Sequence, residues 1–75
     1  MTFIIVHKPE HMSEAITYAV AVECKSEDDA LYIYFNRYIG QRLIAIISNN
    51  NSSVDRLIEL HQERYNIQSY ENITG

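Results

Sequence analysis

The chain has 75 residues, 47% of them hydrophobic, and a net charge of −4. This length predicts one small domain spanning residues 1–75, with a limited core, since short chains bury only about 60% of their unfolded surface. The apolar content argues against a disordered chain, and the acidic balance with scattered basic residues argues against binding of nucleic acid.

Two segments near the start have the pattern of β-strands. Thr2–His7 is apolar on both faces and rich in β-branched residues, which is typical of a strand buried on both sides, and Pro9 ends it. In residues 15–24 the larger apolar side chains occupy alternate positions, as in a second strand. The alternative is a helix begun at Ser13, but helical spacing would scatter those larger side chains around the axis.

A helix start follows the second strand. Ser26 precedes three acidic residues, 27–29, so its hydroxyl can cap the helix while the carboxylates lie at the positive end of the helix dipole. We predict a helix over about 27–39, with Gly40 as a left-handed C-terminal cap. Its predicted core-facing stripe consists of Leu31, Tyr34, Phe35 and Tyr38, with Ile39 beside them.

The second half of the chain predicts a third strand and a second helix. Arg42–Ser48 is apolar on both faces, and Asn49–Asn51 is predicted to form a loop. Ser52 with Asp55 repeats the capping pattern, and the helix is expected to continue to about Tyr65. Its apolar face has helical spacing and comprises Val54, Leu57, Ile58, His61 and Tyr65.

These elements predict an α+β fold of the split βαβ kind. The order is β-β-α-β-α, with a further short edge strand expected over Ile67–Tyr70. The strand–helix–strand unit over 15–48 should cross over right-handed and leave its two strands parallel. The first strand should lie between them and antiparallel to both, because its two apolar faces suit the middle of a sheet. The result is a small mixed β-sheet with two helices on one or both faces.

The sequence indicates no catalytic or metal site. Cys24 lies beside a helix start, but its acidic neighbours argue against a nucleophile, so we expect a structural thiol that faces inward. His7, His11 and Cys24 match no zinc spacing, and His61 is expected as a core or interface histidine. We therefore predict a protein that is not an enzyme and uses no metal or cofactor. A small enzyme whose site is assembled between the chains of an oligomer is kept as a further alternative.

Cysteine content and hydropathy bear on the compartment. A single Cys cannot form an internal disulfide, so the fold needs no oxidising environment. The apolar runs are far shorter than the about 20 residues that span a bilayer. We expect a cytoplasmic protein without a membrane segment.

An apolar surplus on the predicted helices indicates a protein-binding surface. Tyr32 and Ile33 in the first helix and Leu60 in the second fall outside the predicted core stripes. With the acidic Glu27 and Asp28, they are the predicted partner-binding residues. We expect self-association, with a homodimer as the default, and a non-catalytic inhibitor or regulator of a larger protein.

The strand followed by the sequence Ser-Glu-Asp-Asp-Ala resembles the strand and capped-helix start of many small prokaryotic and phage-encoded domains. The small, acidic chain, rich in Tyr and Asn, is also similar to phage accessory proteins. This second resemblance implies a protein that binds and disables a host component.

A ligand-binding oligomer is the alternative function. The stretch between the third strand and the second helix combines backbone N–H groups at a helix start with Ser and Asn side chains, which suit a phosphate. The expected ligand is a small anionic molecule or a nucleotide, held at subunit interfaces. The residues predicted to contact it are Asn49, Asn50, Asn51, Ser52, Ser53, Arg37, Arg42 and Arg64.

Overall fold

The computed structural model describes residues 1–9, 17–49 and 53–74, which form four strands and two helices. The elements are β1 (Thr2–Pro9), β2 (Thr17–Glu23), α1 (Glu27–Arg37), β3 (Gln41–Asn49), α2 (Val54–Tyr65) and β4 (Ile67–Thr74). The strands form one mixed sheet, so the predicted α+β fold is confirmed. Residues 15 and 16, which were predicted to begin the second strand, lie outside the described residues.

The sheet has the strand order β3-β1-β2-β4. β1 pairs antiparallel with both β2 and β3, which confirms its predicted position between them. β4 pairs in parallel with β2 and continues to Thr74, beyond the end predicted at Tyr70. The sequence underestimated this strand because its second half is mostly polar, and its ladder of hydrogen bonds depends on β2 rather than on a local pattern.

The two helices cover opposite faces of the sheet. Ile4 and Val6 of β1 pack in the cluster that contains α2, whereas Phe3 and Ile5 pack in the cluster that contains α1. Successive residues of a strand point to opposite faces, so β1 is buried on both sides. The buried residues are Phe3, Ile5, Val20, Val22, Ala30 and Tyr34 on the α1 side, and Ile4, Val6, Ala19, Ala21, Leu57, Ile58 and Ile67 on the α2 side.

Both helices begin at a serine cap. The Oγ of Ser26 accepts a hydrogen bond from the backbone N–H of Asp29 at 3.2 Å, as predicted. In α2 the cap is Ser53, whose Oγ accepts from the N–H of Arg56 at 3.2 Å. The prediction of Ser52 was wrong, because α2 begins one residue later than the capping pattern suggested.

The C-terminal end of α1 also differs from the prediction. The helix ends at Arg37, and Tyr38 is the C-cap with an extended backbone. Gly40 does have a positive φ of 74°, but it lies three residues beyond the helix and precedes β3, so its predicted role as the cap was wrong. The extended backbone of Tyr38 ends the helix before Gly40 is reached.

The buried face of α1 is centred on Ala30 and Tyr34, which are 0% and 1% exposed. Ile33 and Tyr38 pack against the same cluster. The prediction gave too much weight to large side chains. The small Ala30 is the residue that lets the helix approach the sheet closely. The predicted core residues that lie outside the fully buried face are Leu31, Phe35, Tyr38 and Ile39.

Candidate functional site

A pocket lies on the α1 face of the sheet, beyond the C-terminal end of α1. Its volume is about 280 Å³, which suits a small organic molecule. Five separate segments line it, among them β1 with His7, β2 with Tyr18, the residues after α1 with Tyr38, and β4 with Glu71. The pocket is therefore a product of the tertiary fold.

His7 forms the floor of this pocket and is 4% exposed. Its Nδ1 lies 3.1 Å from Oε1 of Gln41. An amide oxygen only accepts hydrogen bonds, so Nδ1–H is the donor and Nε2 of the neutral ring is left as an acceptor. Burial lowers the pKa of His7 and outweighs the opposing effects of the Gln41 hydrogen bond and the Glu71 charge.

Three tyrosines surround the His7 ring. The ring centroids of Tyr38 and Tyr34 lie 5.0 Å and 5.3 Å from that of His7, and that of Tyr18 lies at 6.3 Å. Tyr34 and Tyr38 stack on each other with their centroids 5.3 Å apart. Such aromatic contacts add stability beyond the area they bury, so the walls of the pocket are held in place by packing.

Glu71 supplies the negative charge of the pocket. The Tyr38 hydroxyl donates to its Oε2 at 2.5 Å, and Arg37 Nη2 donates to its Oε1 at 2.8 Å. These two hydrogen bonds, Tyr38 first, lower the pKa of Glu71, which is therefore ionised at neutral pH. This site could not be predicted from the sequence, because its residues are far apart in the chain and the half of β4 that carries Glu71 was not predicted.

The predicted partner-binding residues do not all lie on one surface. Glu27, Asp28 and Tyr32 are exposed on α1, and Tyr32 retains 73% of its accessible surface. Ile33 is half-buried against the core cluster, so the expectation that it lies outside the core was wrong. Leu60 is exposed but belongs to α2, on the opposite face of the sheet, and does not share a surface with the α1 residues.

The predicted anion-binding residues do not converge within one chain. Arg42 lies at the start of β3 and Asn49 at its end, about 23 Å apart at the usual rise of a strand. Arg37 and Arg64 lie in the last turns of their helices, at the same end of the sheet as Arg42, whereas Ser53 caps the opposite end of α2. Asn50, Asn51 and Ser52 of this prediction, and His11, lie outside the described residues.

The two edge strands of the sheet differ sharply in character. β3 carries five consecutive apolar residues, Leu43–Ile47, all of them half-buried or exposed, and we call this segment the apolar edge. The other edge, β4, exposes the mainly polar stretch Gln68–Asn72. Among the described residues, β3 pairs with β1 and with no other strand.

Each helix exposes an apolar side chain on its side away from β4. Arg37 of α1 and Gln62 of α2 bond to residues of β4, which marks the β4 side of each helix. Leu60 precedes Gln62 by two residues and so lies about 200° around the helix from it, on the side away from β4. Phe35 precedes Arg37 by two residues and lies on the corresponding side of α1. Phe35 and Leu60 are 58% and 57% exposed.

Neither helix of the described chain is long and apolar enough to cross a lipid bilayer. Within the same residues, no group of three or more His, Cys, Asp or Glu side chains is placed to hold a metal ion. Cys24 is half-buried, packs against the α1-side core and donates from Sγ to the Ser26 carbonyl at 3.2 Å.

Comparisons with known proteins identified no relative. None of the family models, curated proteins or solved structures compared with the chain matches it. The function of this chain is therefore inferred from its geometry.

Proposed function

We propose that this chain is a cytoplasmic, non-catalytic protein-interaction module that acts as a homodimer and inhibits or regulates a larger protein. The observation that carries the proposal is the apolar edge of β3. An edge strand presents unpaired backbone N–H and C=O groups, and proteins that stay monomeric usually protect it with charged residues, proline or a β-bulge. Leu43–Ile47 contains no charge and no proline, and the residues after its bulge at Ile44 are regular, whereas the β4 edge carries Glu71 and other polar residues.

A second copy of the chain is the occupant that suits this edge. Antiparallel pairing of two β3 strands about a two-fold axis would join the two sheets into one sheet of twice the width. An axis perpendicular to the sheet keeps α1 of both copies on the same face.

A register shift limits which part of β3 can pair. Val6 lies opposite Ala45 and His7 opposite Leu43, so Ile44 is an extra residue that bulges from the ladder. Bulges twist an edge locally and disturb pairing. The regular stretch after the bulge, residues 45–49, is therefore the segment that we expect to form the intermolecular ladder.

A charge on the β3 edge tests the dimer. Light scattering after size exclusion should give the wild type twice the 8.8 kDa chain mass. Pairing of residues 45–49 places the two-fold axis at Ile47, so Ser48→Lys should give the mass of one chain, because it places two like charges beside the axis at an exposed position of β3. Asn72→Lys is the matched control: it adds the same charge to the polar edge and should remain a dimer.

Hydrogen exchange provides a second measurement on the same variants. Amides of residues 45–49 that face outward should be protected in the wild type and exchange rapidly in Ser48→Lys, while circular dichroism shows that the variant is folded. A wild type with the mass of one chain, or a Ser48→Lys variant that stays dimeric, would contradict the proposal.

The larger partner is proposed to bind the outer surface of α1. Tyr32 stands between two shallow depressions of about 310 and 440 Å³, and both include Ile33 in their walls. The exposed acidic first turn, Glu27–Asp29, lies on the same helix. An exposed aromatic residue beside acidic groups favours a basic protein surface as the partner.

Matched double variants test this surface. Asp28→Lys with Tyr32→Ala should remain dimeric and lose the basic protein that the immobilised wild type captures. Glu63→Lys with Leu60→Ala makes an equivalent change on α2 and should capture that protein as before. If the α1 variant still captures it, or the α2 variant also loses it, the partner does not bind the outer surface of α1.

A further inference from the structure

We propose that the pocket bounded by His7, Tyr18, Tyr38 and Glu71 binds a small organic cation, an ammonium group that carries apolar substituents. This inference goes beyond the proposed interaction function and does not depend on the dimer. It rests on the charge, the aromatic walls and the free hydrogen-bond acceptors of the pocket.

The electrostatic character of the pocket favours a cation. Among the described lining residues, Glu71 is the one that carries a full charge, because the buried ring of His7 is neutral. Each carboxylate oxygen of Glu71 accepts one hydrogen bond from the protein, which leaves further acceptor capacity on both. Tyr38 is the C-cap of α1, so the negative end of the helix dipole also lies beside the pocket.

The walls suit the apolar part of such a ligand. The rings of His7, Tyr18 and Tyr38 all line the pocket, and tyrosine rings attract cations through the negative potential of their faces. Nε2 of His7, left free by the bond from Nδ1 to Gln41, adds an acceptor at the floor. An anionic ligand would meet the Glu71 carboxylate and the helix C-terminus, which would both repel it.

Glu71 already binds one cationic group of this protein, the side chain of Arg37. Its guanidinium holds Oε1 of Glu71 at 2.8 Å, yet Arg37 is not part of the pocket lining. A bound ammonium ion and Arg37 would therefore share the same carboxylate. Removal of the Arg37 charge should strengthen ligand binding, an effect opposite to that of removing the Glu71 charge.

The probe for this inference is choline, titrated into the full chain and followed by NMR of the His7 and Tyr ring protons. We expect saturable shifts of the His7, Tyr18 and Tyr38 signals. The control ligand is the uncharged analogue in which carbon replaces the quaternary nitrogen, and it should cause no saturable shift. The two ligands have nearly the same shape, so a difference between them measures recognition of the charge.

Two variants with opposite expected effects complete the test. Glu71→Gln should weaken choline binding about tenfold, since it removes the charge while keeping the shape. Arg37→Met should strengthen binding by about twofold or more. The inference is overturned if choline gives no saturable shift at these residues, if the uncharged analogue binds equally well, or if Arg37→Met weakens binding. A folded Arg37→Met variant keeps the test decisive even if Glu71→Gln proves unstable.

Discussion

Replacing Tyr34 should change the stability of this protein in opposite directions, depending on what is removed. We expect Tyr34→Ala to lower the free energy of unfolding by about 3–5 kcal/mol, because it deletes a ring that is 1% exposed and packs against His7 and Tyr38. We expect Tyr34→Phe to raise it by about 1–2 kcal/mol, because it keeps the ring and deletes the hydroxyl.

The physical reason is the environment of that hydroxyl. The Tyr34 hydroxyl is buried and has no hydrogen-bond partner among the described residues, so none of these residues compensates for its removal from water on folding. Burial, together with the nearby Tyr38, raises the pKa of Tyr34 to about 12, which is consistent with a hydroxyl poorly solvated in the folded state. A buried phenyl ring at this position has no such desolvation cost.

Urea unfolding monitored by circular dichroism measures both effects. Tyr32→Phe is the matched control, since it removes a hydroxyl from an exposed tyrosine of the same helix and should leave the stability unchanged. A Tyr34→Phe variant that is less stable than the wild type by 1 kcal/mol or more would show that the hydroxyl is hydrogen-bonded, and the account of this cluster would be wrong.

Acidification should destabilise the fold through His7. Burial holds the pKa of His7 below the ordinary value of 6.5, so at pH 5–6.5 the unfolded chain binds more protons than the folded one. The stability that neutral His7 contributes is therefore complete above pH 6.5 and is lost as the pH falls through the folded-state value. The groups that face His7 are the rings of Tyr18, Tyr34 and Tyr38, the Gln41 amide and the Glu71 carboxylate.

A pH series of urea unfolding curves measures this dependence. His7→Phe should flatten the stability profile between about pH 6.5 and 5, because phenylalanine keeps a ring and cannot bind a proton. Tyr32→Phe, an exposed change that leaves His7 in place, should keep the slope of the wild type. If His7→Phe retains the full slope, a different group is responsible for it.

The candidate site contains features that could be predicted from the sequence and features that could not. The exposure of Tyr32 could be predicted, because helical periodicity places it opposite the core. The pocket could not, since His7, Tyr38 and Glu71 come from elements whose relative positions no local pattern specifies. The prediction that Ile33 lies outside the core was wrong for a related reason. Small rotations of a helix on a sheet decide which side of the helix is covered.

The sequence by itself determined the identity and order of the elements and the central place of β1. Hydrophobic periodicity, serine caps and a strand apolar on both faces are local signals, and each reports the environment of its own segment. Only the tertiary structure decided that the helices lie on opposite faces, that β4 extends along β2 to Thr74, and that one edge of β3 has no partner strand within residues 1–9, 17–49 and 53–74. Those features depend on contacts between segments that are distant in the chain. The free energies of these contacts are set by side-chain packing and strand pairing in the folded protein, and they produce no periodic pattern in the sequence.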